Sequence, residues 1–151
     1  MNSNVILLTF GTGYIFVIEM KEEKIMTKGQ IEARISEAII KFEKEYMGRG
    51  PRETKTHLIG DIVFVRLNGV LTLAEEQLAK SADGSILIKR TRMQLLEGAR
   101  GLLENIISDI TRCRVISLHT DISSKTGERI IIFTLDRDFE AILQNRQNSR
   151  T

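Results

Sequence analysis

The apolar residues of this chain switch from helical to strand spacing near residue 50, and that change limits the folds open to it. Ile31, Ile35, Ala38, Ile39, Phe42 and Tyr46 recur at the three-to-four spacing of one helix face. From Glu53 to Leu67 the pattern alternates instead, as it does in a half-buried strand. A helix must therefore stop and a strand begin within the few residues between. Thr27 and Gln30 have the Thr-x-x-Gln spacing of a capping box and start the helix. Gly48 ends it as the residue suited to a left-handed C′ position, and Pro51, the only proline in the chain, lies just beyond.

Gly60-Asp61 offers a two-residue turn between "ETKTHLI" and "IVFVRL". With Ile59 opposite Ile62, one face of the hairpin holds Thr54, Thr56, Leu58, Val63, Val65 and Leu67 and belongs to the core. Lys55, His57, Ile59, Ile62, Phe64 and Arg66 share the other face, which mixes apolar and basic groups as a surface meeting a partner or an anion would. Asn68-Gly69 closes the strand. Thr72 with Glu75 repeats the capping box and starts a short helix through "LAEEQLAK", which Asp83-Gly84 is expected to break.

A single long helix is predicted from Ser85 to Ile110, with Ile88, Leu95, Ala99, Leu102, Leu103, Ile106 and Ile110 toward the core. Strands return at "RVISLHTD" and "RIIIFTLD", separated by a polar loop around Gly127. A short helix from Phe139 to Leu143 and a frayed polar tail, 144–151, complete the chain. The fold class expected is α+β: two helix-plus-β-hairpin units whose antiparallel sheet is covered by helices, the long central one among them. Residues 26–143 make one such domain.

Residues 1–25 read in two ways. Val5–Phe10 and Tyr14–Ile18 joined by Gly-Thr-Gly make a plausible hairpin, too short for a membrane helix of ~20 residues and without the features of a signal peptide. Alternatively, "KEEK" at Lys21–Lys24 is encodable by a purine run resembling a ribosome-binding site just before Met26, so that translation starts at Met26. Codons spelling no such run would remove that second reading. At 151 residues, 42% hydrophobic and 28% charged, the composition is that of an ordinary globular domain. A net charge of +2 is too balanced to announce a nucleic-acid partner. Cys113 stands alone, which excludes an internal disulfide.

Arg92 draws attention because its helical projection falls in the apolar stripe. An arginine there must snorkel or find an anion, since an unpaired buried charge costs several kcal/mol. Glu75, Glu76 and Asp61 are the internal partners on offer, and an external anion or a partner protein is the other reading. "GRGP" is no phosphate loop: the order is helix into strand and no lysine follows at the Walker spacing. It reads as a capping turn that leaves Arg49 and Arg52 as exposed anion contacts.

"LHTDISSKTGE" is the densest polar cluster, with His119, Asp121, Ser123, Ser124, Lys125, Thr126 and Glu128. Two histidines and one cysteine in the whole chain argue against a zinc site. No nucleophile elbow supports a triad, and neither a catalytic constellation nor a cofactor motif emerges. Lys89, Arg90 and Arg92 favour nucleic acid, but with 5% aromatic residues base stacking would rest on Phe64 and Phe133.

Taken in order, "GRGP", "GDIVFVRLNGVLTLAEEQL", the helix through Arg92 and "DISSKTGERIIIFTLD" resemble the MpsC-like family of small bacterial proteins, from about Met26 to Leu143. Its motif positions correspond here to Gly48, Gly50, Pro51, Gly60, Asp61, Arg66, Gly69, Leu71, Thr72, Glu75, Arg92, Asp121 and Gly127. The resemblance implies a non-catalytic, cytoplasmic protein, at most peripheral to the membrane, in an accessory or regulatory role beside a sodium or bicarbonate transport or membrane-potential-generating system. Its expected partners are subunits of that system. A regulator binding nucleic acid or a small anion is the alternative. Arg49, Arg52, Arg66, Arg92 and Asp121 are the candidate anion or partner contacts. The exposed Phe64 face and the open sheet edges lead us to expect a homodimer.

Overall fold

The computed structural model describes residues 4–9, 11, 15–20 and 25–149. Strands β1 (Asn4–Thr9) and β2 (Ile15–Met20) pair antiparallel as a separate hairpin, while Phe10, Tyr14 and Lys21–Lys24 lie outside the described residues. Helix α1 (Lys28–Met47) follows, with both halves of the Thr27–Gln30 capping box formed and Gly48 left-handed at φ 79°. Strands β3 (Glu53–Ile59) and β4 (Ile62–Asn68) form the expected hairpin, with Ile59 opposite Ile62. Helices α2 (Leu73–Leu78), α3 (Ala82–Gly98) and α4 (Arg100–Thr111) come next, then β5 (Val115–Ser123), β6 (Glu128–Leu135) and α5 (Phe139–Asn148).

The two later hairpins join through β4 and β6 into one open antiparallel sheet, in the order β3-β4-β6-β5. This is an α+β fold. Side chains on the inner face, among them Leu58, Val63, Val65, Leu67, Leu118, Ile131 and Phe133, are buried with Ile35, Ile39 and Phe42 of α1 and Leu96, Leu103 and Ile107 of α3 and α4. Helix α1 packs on β3 and α4, and α3 and α4 lie on β5. The outer face stays half-exposed or exposed throughout. Helices therefore cover one side of the sheet only.

Three elements differ from the sequence expectation. The break after α2 falls at residues 79–81, not at Asp83-Gly84, because the Ser81 hydroxyl accepts the Gly84 N–H at 3.0 Å and caps α3. Gly84 is instead a packing residue: a Cβ there would come within 2.0 Å of the Leu78 carbonyl oxygen. The expected Ser85–Ile110 helix is two helices, parted at Ala99, whose backbone (φ −105°, ψ 7°) leaves the helical region. Gly98 and Gly101 flank that point, and each weakens a helix by about 1 kcal/mol relative to alanine. Leu95 and Leu102, on either side of the break, are 48% and 41% exposed instead of joining the core, which α3 meets through Ile88, Arg92 and Leu96. Finally, α5 runs to Asn148, through residues expected to fray, with the Asp138 carboxylate accepting the Ala141 N–H as its N-cap.

Candidate functional site

Segment 69–72 between β4 and α2 has no regular structure, yet three of its successive carbonyls meet arginines. Arg49 donates from Nη1 to the Leu71 carbonyl at 3.0 Å and from Nη2 to the Gly69 carbonyl at 3.3 Å. Between them, Arg92 Nη2 donates to the Val70 carbonyl at 2.8 Å. The Val70 N–H reaches the Gly127 carbonyl at 3.0 Å, and the Arg52 N–H reaches the Asn68 carbonyl at 2.8 Å. Arg52 also lays its stem over Gly69, where a Cβ would meet it at 2.7 Å. Residues distant in sequence thus converge on one loop, and Arg49 and Arg92 act as its clamps.

Arg92 is 3% exposed, and its charge is answered inside the chain. Its Nε and Nη2 bond the two carboxylate oxygens of Glu75 at 2.8 and 2.7 Å, a bidentate fork. Of the partners weighed from sequence, Glu75 is the one found; the same carboxylate accepts the Thr72 N–H at 2.7 Å and completes the second capping box. Burial pushes the Glu75 carboxyl up, but the bonds from Arg92 and Thr72 outweigh it and hold the group below its usual range.

Behind this pair lies a second one that the sequence reading missed. Arg129 and Glu43 are each 1% exposed, with Nη1 and Oε1 3.1 Å apart, and Arg129 Nη2 donates to the Arg92 carbonyl at 3.3 Å. Burial pulls the Arg129 guanidinium below its ordinary value, Arg92 adds to that, and Glu43 works against it. Removing one partner of such a buried pair typically costs about 3–5 kcal/mol. The signal was present: Glu43 continues the Ile31–Ile35–Ile39 row at i+4, and Arg129 continues the Ile131–Phe133–Leu135 alternation at i−2.

The remaining candidates lie at the surface. Arg66 pairs across strands with Glu128 at 2.5 Å, and Lys89 of α3 reaches around edge strand β5 to Asp121 at 3.1 Å. Burial is the largest single influence on the Asp121 carboxyl and raises it, but the Ile122 N–H and Lys89 together outweigh it and hold the group below its ordinary value, so it stays ionised. Lys89, Asp121, Ser123, Ser124, Lys125 and Glu128 line a shallow groove of about 330 Å³, which gathers much of the polar cluster seen in the sequence but not His119. Among the described residues no group of three His, Cys, Asp or Glu side chains could hold a metal ion.

Two apolar surfaces stand apart from these pairs. On the outer face of the sheet, Phe64 lies between His57 and Ile132, and His119 follows on β5. The row beside it reads Lys55, Arg66, Ile130, Asp121 from edge to edge. Phe133, by contrast, is fully buried on the inner face, so only one of the two rings named for base stacking is on a reachable surface. The second surface is helical. Six of the ten large apolar side chains exposed among the described residues, Leu73, Leu78, Ile86, Leu87, Met93 and Leu95, belong to α2 and α3.

A one-sided antiparallel sheet under helices, with Arg–Glu pairs buried between the layers, defines a small α+β protein whose singled-out charges are engaged internally. The chain belongs to the MpsC family: the model described as "Na+-translocating membrane potential-generating system (MpsC)" matches residues 27–137. It is also 44% identical over 118 residues to "Uncharacterized protein YbcI" of Bacillus subtilis (strain 168), covering 78% of this chain and 95% of that relative. No solved structure matches.

Proposed function

We propose that this protein is a non-catalytic accessory or regulatory component beside a bacterial membrane-potential-generating or sodium/bicarbonate transport system, working by protein contact at the cytoplasmic side of the membrane. The observation that carries this reading is the concentration of exposed apolar side chains on α2 and α3. Ile86 and Met93 are two helical turns apart on one face, at 64% and 53% exposure, with Arg90 between them. Burying the exposed half of one such side chain against a partner contributes about 1 kcal/mol. Several together suit a docking surface better than an isolated stray residue would.

Support for the membrane system comes from the family description. Among the described residues no helix is long and apolar enough to cross a membrane, so this region provides no helical ion path of its own. Support for a non-catalytic role comes from the pairing of Arg92 with Glu75 and of Asp121 with Lys89, which leaves Asp121 ionised and engaged instead of poised to move a proton near neutral pH.

The test is affinity capture of the tagged chain from native membranes, comparing wild type with Ile86→Lys/Met93→Lys and with Arg66→Ala, all checked for folding by circular dichroism. Transport subunits recovered with wild type and with Arg66→Ala, and lost with the double lysine variant, are the expected result. Recovery of nucleic acid that falls steeply with salt would replace this reading with the nucleic-acid alternative. Recovery unaffected by the lysines would remove α2 and α3 from it.

A further inference from the structure

A cleft of about 470 Å³ lies between α1, the C-terminal end of α4 and α5, on residues that the docking reading does not use. Its floor is apolar and buried, formed by Ile31, Phe139 and Leu143. Its rim carries Arg34, Arg112 and Arg146 against the single carboxylate of Asp109. The volume falls within the roughly 300–1,000 Å³ of small-molecule sites.

The rim arginines have no carboxylate partner among the described residues. Arg52, Arg66, Arg92, Arg100, Arg129 and Arg137 each face a carboxylate, whereas Arg34, Arg112 and Arg146, like Arg49, Arg90 and Arg114 elsewhere, take part in none of the ion pairs among the described residues; the cleft is where three of these six come together. Arg34 makes one weak contact, to Met26 Sδ at 3.7 Å. Asp109 does not come within ion-pair distance of any of them. Three cations around an apolar floor match an anionic head on a hydrocarbon body.

An independent observation concerns the backbone. Arg112 has φ 58° and ψ 22°, and among the described residues it is the one non-glycine residue with positive φ. This is the left-handed position that follows a helix, where glycine is the usual occupant because any Cβ is strained there. Retaining arginine at such a place points to a use for its side chain, since strain of this kind concentrates at functional sites. Neutralising the helix end does not explain it: Arg137 Nη2 already bonds the Arg112 carbonyl at 2.6 Å.

We propose that this cleft is a binding site for a small amphipathic anion, a carboxylate or phosphate on an apolar chain, with Arg112 and Arg34 contacting the head and Ile31, Phe139 and Leu143 the body. The inference stands apart from the docking reading and survives its failure.

The test uses the full chain with decanoate and decyl phosphate below their micellar concentrations, and with decanol and inorganic phosphate as controls, by isothermal titration. One saturable site for either amphiphile, at least about tenfold weaker binding in Arg112→Gly and in Arg34→Gln, and weaker or no binding of both controls are expected. Arg112→Gly should also melt at an equal or higher temperature, by roughly 2–4 °C, because glycine relieves the strain. Loss of binding with a gain in stability marks a side chain kept for its ligand. No binding of either amphiphile, decanol binding as well as the anions, inorganic phosphate binding as tightly, or unchanged affinity in the two variants would each overturn the proposal. Should Arg112→Gly fold poorly, the strain argument fails with it, and Arg34→Gln alone then decides the site.

Discussion

At the scale of single residues, Glu75 joins three jobs in one carboxylate: capping α2, neutralising Arg92 and, through Arg92, holding the Val70 carbonyl. Glu75→Gln keeps the shape and part of the cap but leaves Arg92 buried without a counter-charge. We expect a loss of about 3 kcal/mol, the low end for a buried pair because Glu75 is 26% exposed. The pH dependence has a definite sign. The folded-state pKa of Glu75 lies below its ordinary 4.5, so its stabilisation is fully present above that value and disappears as pH falls through the lower, folded value. Urea unfolding between about pH 7 and pH 3 should therefore show wild type losing stability more steeply than Glu75→Gln in the acid range. Parallel curves for the two proteins would show that this carboxylate is not what acid titrates.

At the scale of elements, the break at Ala99 separates what periodicity joined. Gly98 and Gly101 have ordinary negative φ, and a Cβ on either would meet nothing within 4 Å. Alanine at each should then stabilise by about 0.5–1 kcal/mol, through lower entropy of the unfolded chain and better helix propensity. Thermal unfolding would show a rise of a few degrees for Gly98→Ala/Gly101→Ala. A fall would mean that the bend needs its glycines and that straightening the helix pulls Arg100 from the Leu118 carbonyl, 3.1 Å away. The capping boxes and hairpins, by contrast, were legible without the fold, because a Thr-x-x-Glu or Gly-Asp signal is satisfied within a few residues of itself. Ser81 competed locally with Asp83-Gly84 for the same boundary, and only the approach of Leu78 shows why the glycine is there.

At the scale of the whole molecule, the uncovered face of the sheet invites a second copy. Turning one sheet over another about an axis parallel to the strands sets β3 of each over β5 of the other. Phe64 and Ile132 then meet in the centre, and Lys55 of one copy comes opposite Asp121 of the second. This self-complementary charge row favours that homodimer over a slipped one. Light scattering on the full chain should give twice the monomer mass at high concentration, and Phe64→Lys should give a folded monomer. A wild-type monomer at high concentration would remove the expectation.

Sequence alone determined the order of helices and hairpins, the left-handed Gly48, the inner face of β3 and β4, and Arg92 as a charge in an apolar stripe, because each depends on neighbours within one or two turns of chain. It also carried the family resemblance. Tertiary structure decided that Arg92 faces Glu75 and sits beside the Arg129–Glu43 pair, that Arg49 clamps the loop before α2, and that Leu95 and Leu102 face solvent. It decided too that Arg34, Arg112 and Arg146 share one cleft. These outcomes join residues 17 or more positions apart or depend on which side of a helix meets the sheet, and periodicity along a single element fixes a side chain's direction without saying what it will meet there.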